Sequence, residues 1–341
     1  MKTIFIVDDN ETNLMTAKLA LEGKYKSYAL PSAARMLKLM EKIIPDLILL
    51  DVDMPEMDGF QAMEALKADK RLKSIPVVFL TARLDEDSEI RGFEMGALDF
   101  ISKPFSKPVL LKRIENHIET DLLIKNSLLS VKNIYNATIS AVANLVDSRD
   151  RTTGKHIMHT QKYLEILVNH LARTDSYREE MAGWDMSVLI PSAQLHDMGK
   201  ITISDTILNK AGKLTGEEFE MIKTHCIEGE KLIDSIVGKT EEDSFLHHAK
   251  KFAGSHHEKY DGSGYPRGLK AEEIPLEGRI MAIADVYDAL VSERPYKKPL
   301  THEEAVEIIK KDSGTHFDPK LIEEFLSVAE DFWVETISAE N

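Results

Sequence analysis

Along the first hundred residues, short apolar runs alternate with amphipathic stretches. Residues 3–7, 46–50 and 77–80 read as buried strands, and 97–101 is a weaker apolar run. Near-continuous apolar strands separated by helical patterns predict a parallel sheet covered on both faces, a doubly wound α/β domain. After Lys107-Pro108 the pattern turns helical, with no Gly or Pro until Gly154. Leu128, Val131, Tyr135, Ile139, Val142 and Val146 recur at steps of three and four along one helix face. That stripe predicts either packing against the next domain or an extended, dimerising signalling helix. From about Ser148 the chain stays helical, with Gly/Pro-rich interruptions at 212–216, 261–268 and 294–299. The expected organisation is an α/β domain over 1–120, a connecting helix over 121–147 and an all-α domain over 148–341.

Composition narrows the classes. A length of 341 residues suits two domains, and a hydrophobic content of 43% is enough for real cores. The single cysteine, Cys226, excludes an internal disulfide framework and fits a reducing cytoplasm. We read it as a small buried hydrophobe rather than a ligand. No apolar run reaches membrane length, and the N-terminus runs into a strand without a cleavage site, so a cytoplasmic chain with no membrane partner is expected. The formal charge is −15, which argues against an electrostatic coat for nucleic acid. Up to Thr120 there are 17 basic and 20 acidic residues, against 26 and 38 beyond it. Of the 12 histidines, only His117 precedes residue 150. An anionic ligand in this acidic, histidine-rich half needs local positive charge, which metal ions would supply.

In a parallel sheet, ligands bind beyond the carboxyl ends of the strands. The polar residues there are Asp8, Asp9, Asp51, Thr81 and, after the weaker run, Lys103. Three converging carboxylates call for a cation, and oxygen-only ligands favour Mg²⁺. A lysine and a hydroxyl beside them suit phosphoryl oxygens. With Val7-Asp8-Asp9, Asp51-Val-Asp-Met-Pro-Glu-Met-Asp-Gly59, Thr81-Ala82 and Lys103-Pro104-Phe105 in place, the first ~120 residues resemble a response-regulator receiver domain. The resemblance implies a flavodoxin-like, five-stranded sheet and phosphorylation of Asp51 by a histidine kinase. It also implies Mg²⁺ held by Asp9, Asp51 and the backbone of Asp53 with Asp8 in support. Thr81 and Lys103 would contact the phosphoryl group, Phe100 would be the aromatic switch, and the Lys103–Pro104 bond would commonly be cis.

In the second half His156, His196-Asp197, His225, His256-His257 and Asp285 stand out. Imidazoles mixed with carboxylates suit Fe, Mn, Ni or Zn better than Ca²⁺. Asp197 is the candidate to bridge two metals; a pair ~3.5–4 Å apart stabilises both the attacking and the leaving oxygen of a phosphoryl displacement. Helical periodicity would put Lys200 one turn after His196, on the same face. An isolated histidine such as His170 or His302 is expected to be structural.

The ordered motifs are Thr153-Gly-Lys-His156, His196-Asp-Met-Gly-Lys200, Ile207-Leu-Asn-Lys210, Lys223-Thr-His225, His256-His-Glu-Lys-Tyr-Asp-Gly-Ser-Gly-Tyr-Pro266, Asp285-Val-Tyr-Asp-Ala-Leu290 and Arg294-Pro-Tyr-Lys297. With these, the second half resembles the HD-GYP cyclic di-GMP phosphodiesterases, a branch of the HD metal-dependent phosphohydrolases. That resemblance implies an all-α fold and one metal, Fe or Mn first and Ni or Zn next, at His156, His196, Asp197 and Asp285. The second metal would sit at Asp197, His225, His256 and His257. Asp197 and Lys200 would be catalytic, while Arg294, Lys297 and Tyr265 would meet the substrate. Family members with three metals have a glutamate where this chain has Thr152; two metals are therefore expected, with pGpG or GMP as the product. Two alternatives stay open: a cyclic-dinucleotide sensor that hardly hydrolyses, and a phosphodiesterase for another cyclic dinucleotide. A homodimer through the connecting helix or the receiver is a further expectation.

Overall fold

A computed structural model describes residues 1–82, 86–149, 155–237, 244–293 and 298–340. By its internal contacts the chain divides into residues 1–131 and 132–341.

The first unit holds five strands, β1 (Thr3–Val7), β2 (Lys26–Leu30), β3 (Leu47–Asp51), β4 (Val77–Thr81) and β5 (Asp99–Ser102). They form one all-parallel sheet in the order β2-β1-β3-β4-β5. The helices between them are α1 (Glu11–Leu21), α2 (Ala33–Met40), α3 (Gly59–Ala68) and α4 (Glu86–Glu94). Successive side chains on a strand face opposite ways, so each strand feeds two cores. Ile4, Ile6, Leu49 and Leu80 meet α1 and the start of α5 (Lys107–Asp147), while Phe5, Leu50 and Phe79 meet α2 and α3. The helix starts are written in the sequence: Asn10 accepts from the backbone N–H groups of Thr12 and Asn13, and Asp58 with Gln61 forms a capping box on α3. Because all five strands run one way, Asp8, Asp9, Asp51, Thr81 and Lys103 all fall at the same edge of the sheet.

α5 begins in the first unit and ends in the second. The expected apolar stripe divides along it. Leu128 and Val131 are each 65% exposed, whereas Ala143 and Val146 are buried and Ile139 packs with Ile157, Leu195 and Phe245.

The second unit is helical. It continues with α6 (His156–Thr174), α7 (Met186–Ser192), α8 (Asp205–Leu208), α9 (Gly216–Val237), α10 (Ser244–Ser255), α11 (Leu276–Val291), α12 (His302–Lys311), α13 (Pro319–Leu326) and α14 (Ala329–Glu340). α6 and α11 are its central pair: Tyr163, Leu164 and Leu167 of one pack with Ile280, Ile283 and Tyr287 of the other, against Phe325 and Phe332. The expectation of a single helix through His196 and Lys200 is corrected here. Residues 193–202 form two short 3₁₀ turns, Ala193–Leu195 and Met198–Thr202. The cause is close packing: a Cβ on Gly199 would lie 1.9 Å from the carbonyl oxygen of His225, so this turn is pressed onto α9 where only glycine fits. Among the described residues no helix is long and apolar enough to cross a membrane.

Candidate metal centre and acceptor aspartate

In the second unit the residues picked by motif gather into two groups. His156, His196 and Asp285 offer ligand atoms within 4.8 Å of one another, and so do Asp197, His225, His256 and His257. They come from α6, the 3₁₀ turns, α9, the residues after α10 and α11, so the site exists only when the whole unit is folded. Asp197 lies between the groups. Its Oδ2 is 3.4 Å from His196 Nε2, while its Oδ1 is 3.4 Å from His225 Nε2 and 3.7 Å from His256 Nε2.

The backbone sets the imidazole tautomers. Nδ1 of His196, His225 and His256 lies 2.9, 2.7 and 2.9 Å from the carbonyl oxygens of Ala193, Ile222 and Phe252. A carbonyl only accepts, so each Nδ1 carries the proton and each neutral ring aims an Nε2 lone pair inward. His225 Nε2 and His256 Nε2 then face each other at 3.3 Å. Two lone pairs and a carboxylate meeting in a buried space favour a cation. His196 Nε2 and Asp197 Oδ1 are also buried without a hydrogen-bond partner, which suits ligands. The donor set, imidazole nitrogen and carboxylate oxygen, fits first-row transition metals.

Charge state agrees with that role. Burial opposes ionisation of Asp197, but the Lys200 ammonium, 2.8 Å from Oδ2, leads the interactions that outweigh it and hold the carboxyl well below the usual range. Burial pushes His225 down to about 4 and His257 well down as well, keeping both rings neutral. For His156 burial also favours the neutral form, but the Asp288 hydrogen bond and the charges of Asp285 and Asp288 lift it to about 9. A cation bound there must displace that proton.

Three contributors escaped the sequence reading. Asp288 Oδ2 lies 2.7 Å from His156 Nδ1, its Oδ1 lies 3.0 Å from His159 Nδ1, and it also accepts from the Ser292 hydroxyl. The signal was a second residue three positions on in each helix: His156 and His159 on α6, Asp285 and Asp288 on α11. The third is Glu258, buried, whose carboxylate accepts from the backbone N–H groups of Arg267 (2.7 Å) and Leu269 (3.1 Å) and pins the glycine-rich loop. Within that loop a Cβ on Gly264 would lie 2.2 Å from the backbone nitrogen of Lys259. Tyr265 is thereby brought over His257, ring centroids 4.8 Å apart. Cys226 is fully buried, 3.5 Å from His225 Nε2, and burial raises its thiol. Arg294, Lys297 and Thr152 lie outside the described residues.

In the first unit Asp8, Asp9 and Asp51 form a third oxygen cluster. Asp8 and Asp51 are buried, and Lys103 Nζ lies 2.6 Å from a carboxylate oxygen of each. Burial, with Asp8 adding repulsion, raises Asp51 despite the lysine. The backbone N–H of Asp53 donates to Asp51, and the side chain of Asp53 is exposed. Thr81 is buried at the neighbouring strand end, and its carbonyl accepts from the Lys103 N–H at 2.7 Å. The Lys103–Pro104 peptide is cis. Phe100 points inward, between Phe79 and Phe93, into space left by Gly92, where a Cβ would lie 2.3 Å from the Phe100 ring.

Fold and site together define a two-part signalling chain: a receiver-type α/β unit and a helical unit with a histidine–aspartate metal centre. Residues 4–115 match the response regulator receiver domain family, and residues 139–321 match the HD domain family. A probable cyclic di-GMP phosphodiesterase of Vibrio cholerae is 39% identical over 97% of this chain and 78% of its own length. The cyclic di-GMP phosphodiesterase response regulator RpfG of Xanthomonas campestris is 33% identical over 95% of this chain and 86% of its own. A cyclic di-GMP phosphodiesterase of Thermotoga maritima is 32% identical over 96% of this chain and 90% of its own. The chain belongs to the response regulators whose receiver domain is joined to an HD domain, a metal-dependent hydrolase family.

Proposed function

We propose that the chain hydrolyses cyclic di-GMP, to pGpG or GMP, at a two-metal centre in the HD domain, under control of Asp51 phosphorylation. The observation that carries this reading is Asp197, which presents one carboxylate oxygen to His196 and the other to His225 and His256. His156, His196, Asp197 and Asp285 would hold one metal, and Asp197, His225, His256 and His257 the other. Fe or Mn suits the donors best, Ni or Zn next. When bound, the pair supplies Lewis-acid stabilisation of the attacking and leaving oxygens of an in-line displacement.

The protein's own groups do the rest. Lys200 restrains Asp197 and sets a cation beside the scissile phosphate, where it can also hand on a proton. Asp288 fixes the ring of His156. Tyr265 covers His257 and limits water, and Arg294 with Lys297 would meet the substrate phosphates. In the receiver a histidine kinase would transfer a phosphoryl group to Asp51. Mg²⁺ would sit on Asp9, Asp51 and the backbone of Asp53, Asp8 would support it, and Thr81 and Lys103 would hold the phosphoryl oxygens. Phe100 would then report the change. A second copy of the chain is the partner proposed for the exposed apolar side chains of α5. The test is turnover of cyclic di-GMP by metal-loaded protein. We expect activity in the wild type and none in Asp197→Ala; tight binding of cyclic di-GMP without product would instead make the chain a sensor.

A further inference from the structure

Phe219 and Lys223 lie one turn apart on α9, six and two residues ahead of the metal-centre residue His225. Phe219 is 45% exposed, although its ring meets Tyr265 edge-on with centroids 6.2 Å apart. Tyr265 in turn lies over His257, so a row of rings leads from the metal centre to a ring that is nearly half exposed. Lys223 Nζ stands 5.0 Å from the Phe219 centroid and 5.7 Å from that of Tyr265. Its ion pair with Glu220, at 2.6 Å, is on the surface; such pairs are weak and exchange readily for another acceptor.

An exposed ring with an ammonium 5.0 Å from its centroid, held there only by a surface ion pair, offers what a nucleobase needs once that ammonium swings aside, a π-face to stack on and a donor for the base edge. The donor selects among bases. Guanine shows two neighbouring acceptors, O6 and N7, where adenine shows N7 beside an amino donor. A lysine has three donors and no acceptor. We propose that Phe219 and Lys223 form a guanine subsite, with Phe219 stacking on one base of the substrate while Lys223 donates to its O6 and N7. This rests on the cyclic di-GMP reading above and names the two residues that set its base specificity.

The test uses the metal-loaded full chain as wild type, Phe219→Ala, Phe219→Trp and Lys223→Met. Substrates are cyclic di-GMP, cyclic di-AMP and the base-free diester methyl p-nitrophenyl phosphate, and GMP binding is measured separately by calorimetry. Phe219→Ala is expected to raise KM for cyclic di-GMP roughly 5- to 100-fold with little change in kcat. Phe219→Trp restores it, and the base-free diester is unaffected. Lys223→Met narrows the preference for guanine over adenine by about tenfold. An unchanged KM, or an equal loss on the base-free diester, overturns the subsite. If the wild type cleaves no cyclic di-GMP but Phe219→Ala still weakens GMP binding, the subsite stands and the hydrolysis reading falls. Normal turnover with unweakened GMP binding does the reverse.

Discussion

At the residue scale the molecule depends on a few side chains whose second contacts matter as much as their first. Asp288 touches no candidate ligand atom that faces the centre, yet it holds His156 by the opposite nitrogen. Losing such an outer partner typically costs 10–100-fold in metal affinity. Asp288→Asn should therefore weaken metal retention at the His156 group by about that factor while leaving the His225 group loaded, as read by chelator competition with metal analysis. Asp197→Ala should empty both. Adjacent residue types made much of this centre legible: His-Asp and His-His are rare by chance. Asp288 and His159 were harder to see, because a histidine or aspartate on a helix is usually structural. His170, paired with Glu324 at 2.8 Å, and His302, paired with the Tyr287 hydroxyl at 2.8 Å, are of that ordinary kind.

At the element scale, packing decided what periodicity could not. The apolar pattern alone does not mark β2, which enters only through the family resemblance, because Lys-Ser-Tyr-Ala-Leu is a half-exposed edge strand without the apolar run that marks β1, β3 and β4. The 3₁₀ turns at 193–202 were read as a helix because the force that tightens them, contact of Gly199 with α9, comes from a segment distant in sequence. Gly199→Ala should thus destabilise the second unit by about 1–3 kcal/mol or more, measured by urea unfolding of the full chain. Glu277 at the start of α11 accepts from His248 Nδ1 (2.8 Å) and Lys251 Nζ (2.9 Å) of α10. Burial raises its carboxyl, but these two partners outweigh burial and hold it below its ordinary value. A carboxyl lower in the folded than in the unfolded state stabilises the fold above about pH 4.3 and loses that contribution as pH falls through the folded value. The melting temperature should accordingly fall in that acid range, and Glu277→Gln should flatten the fall. On α5, Leu123, Leu128, Val131 and Ile134 are each about two-thirds exposed. Serine at Leu128 and Val131 should shift the chain from dimer to monomer in light scattering; an unchanged mass would remove the dimer from the account.

At the scale of the whole molecule, the histidine bias has a physical origin. Five of the histidines beyond residue 150, together with Asp197 and Asp285, gather at one buried centre. The two units carry chemically different clusters, carboxylates alone in the receiver and imidazoles with carboxylates in the HD domain. The first suits a hard ion and a phosphoryl group, the second borderline metals and a phosphodiester. Both were readable from sequence because the residues of each cluster sit in short contiguous motifs, at strand ends in the first unit and on or beside helices in the second. The most direct measurement is metal content and cyclic di-GMP turnover on the same preparations of wild type and Asp197→Ala, with and without a phosphoryl mimic at Asp51. About two metal equivalents and turnover are expected in the wild type, a rate that changes when the mimic is added, and neither metal nor turnover in Asp197→Ala. Turnover that persists in Asp197→Ala, or in wild type stripped of metal, would contradict hydrolysis at a two-metal centre.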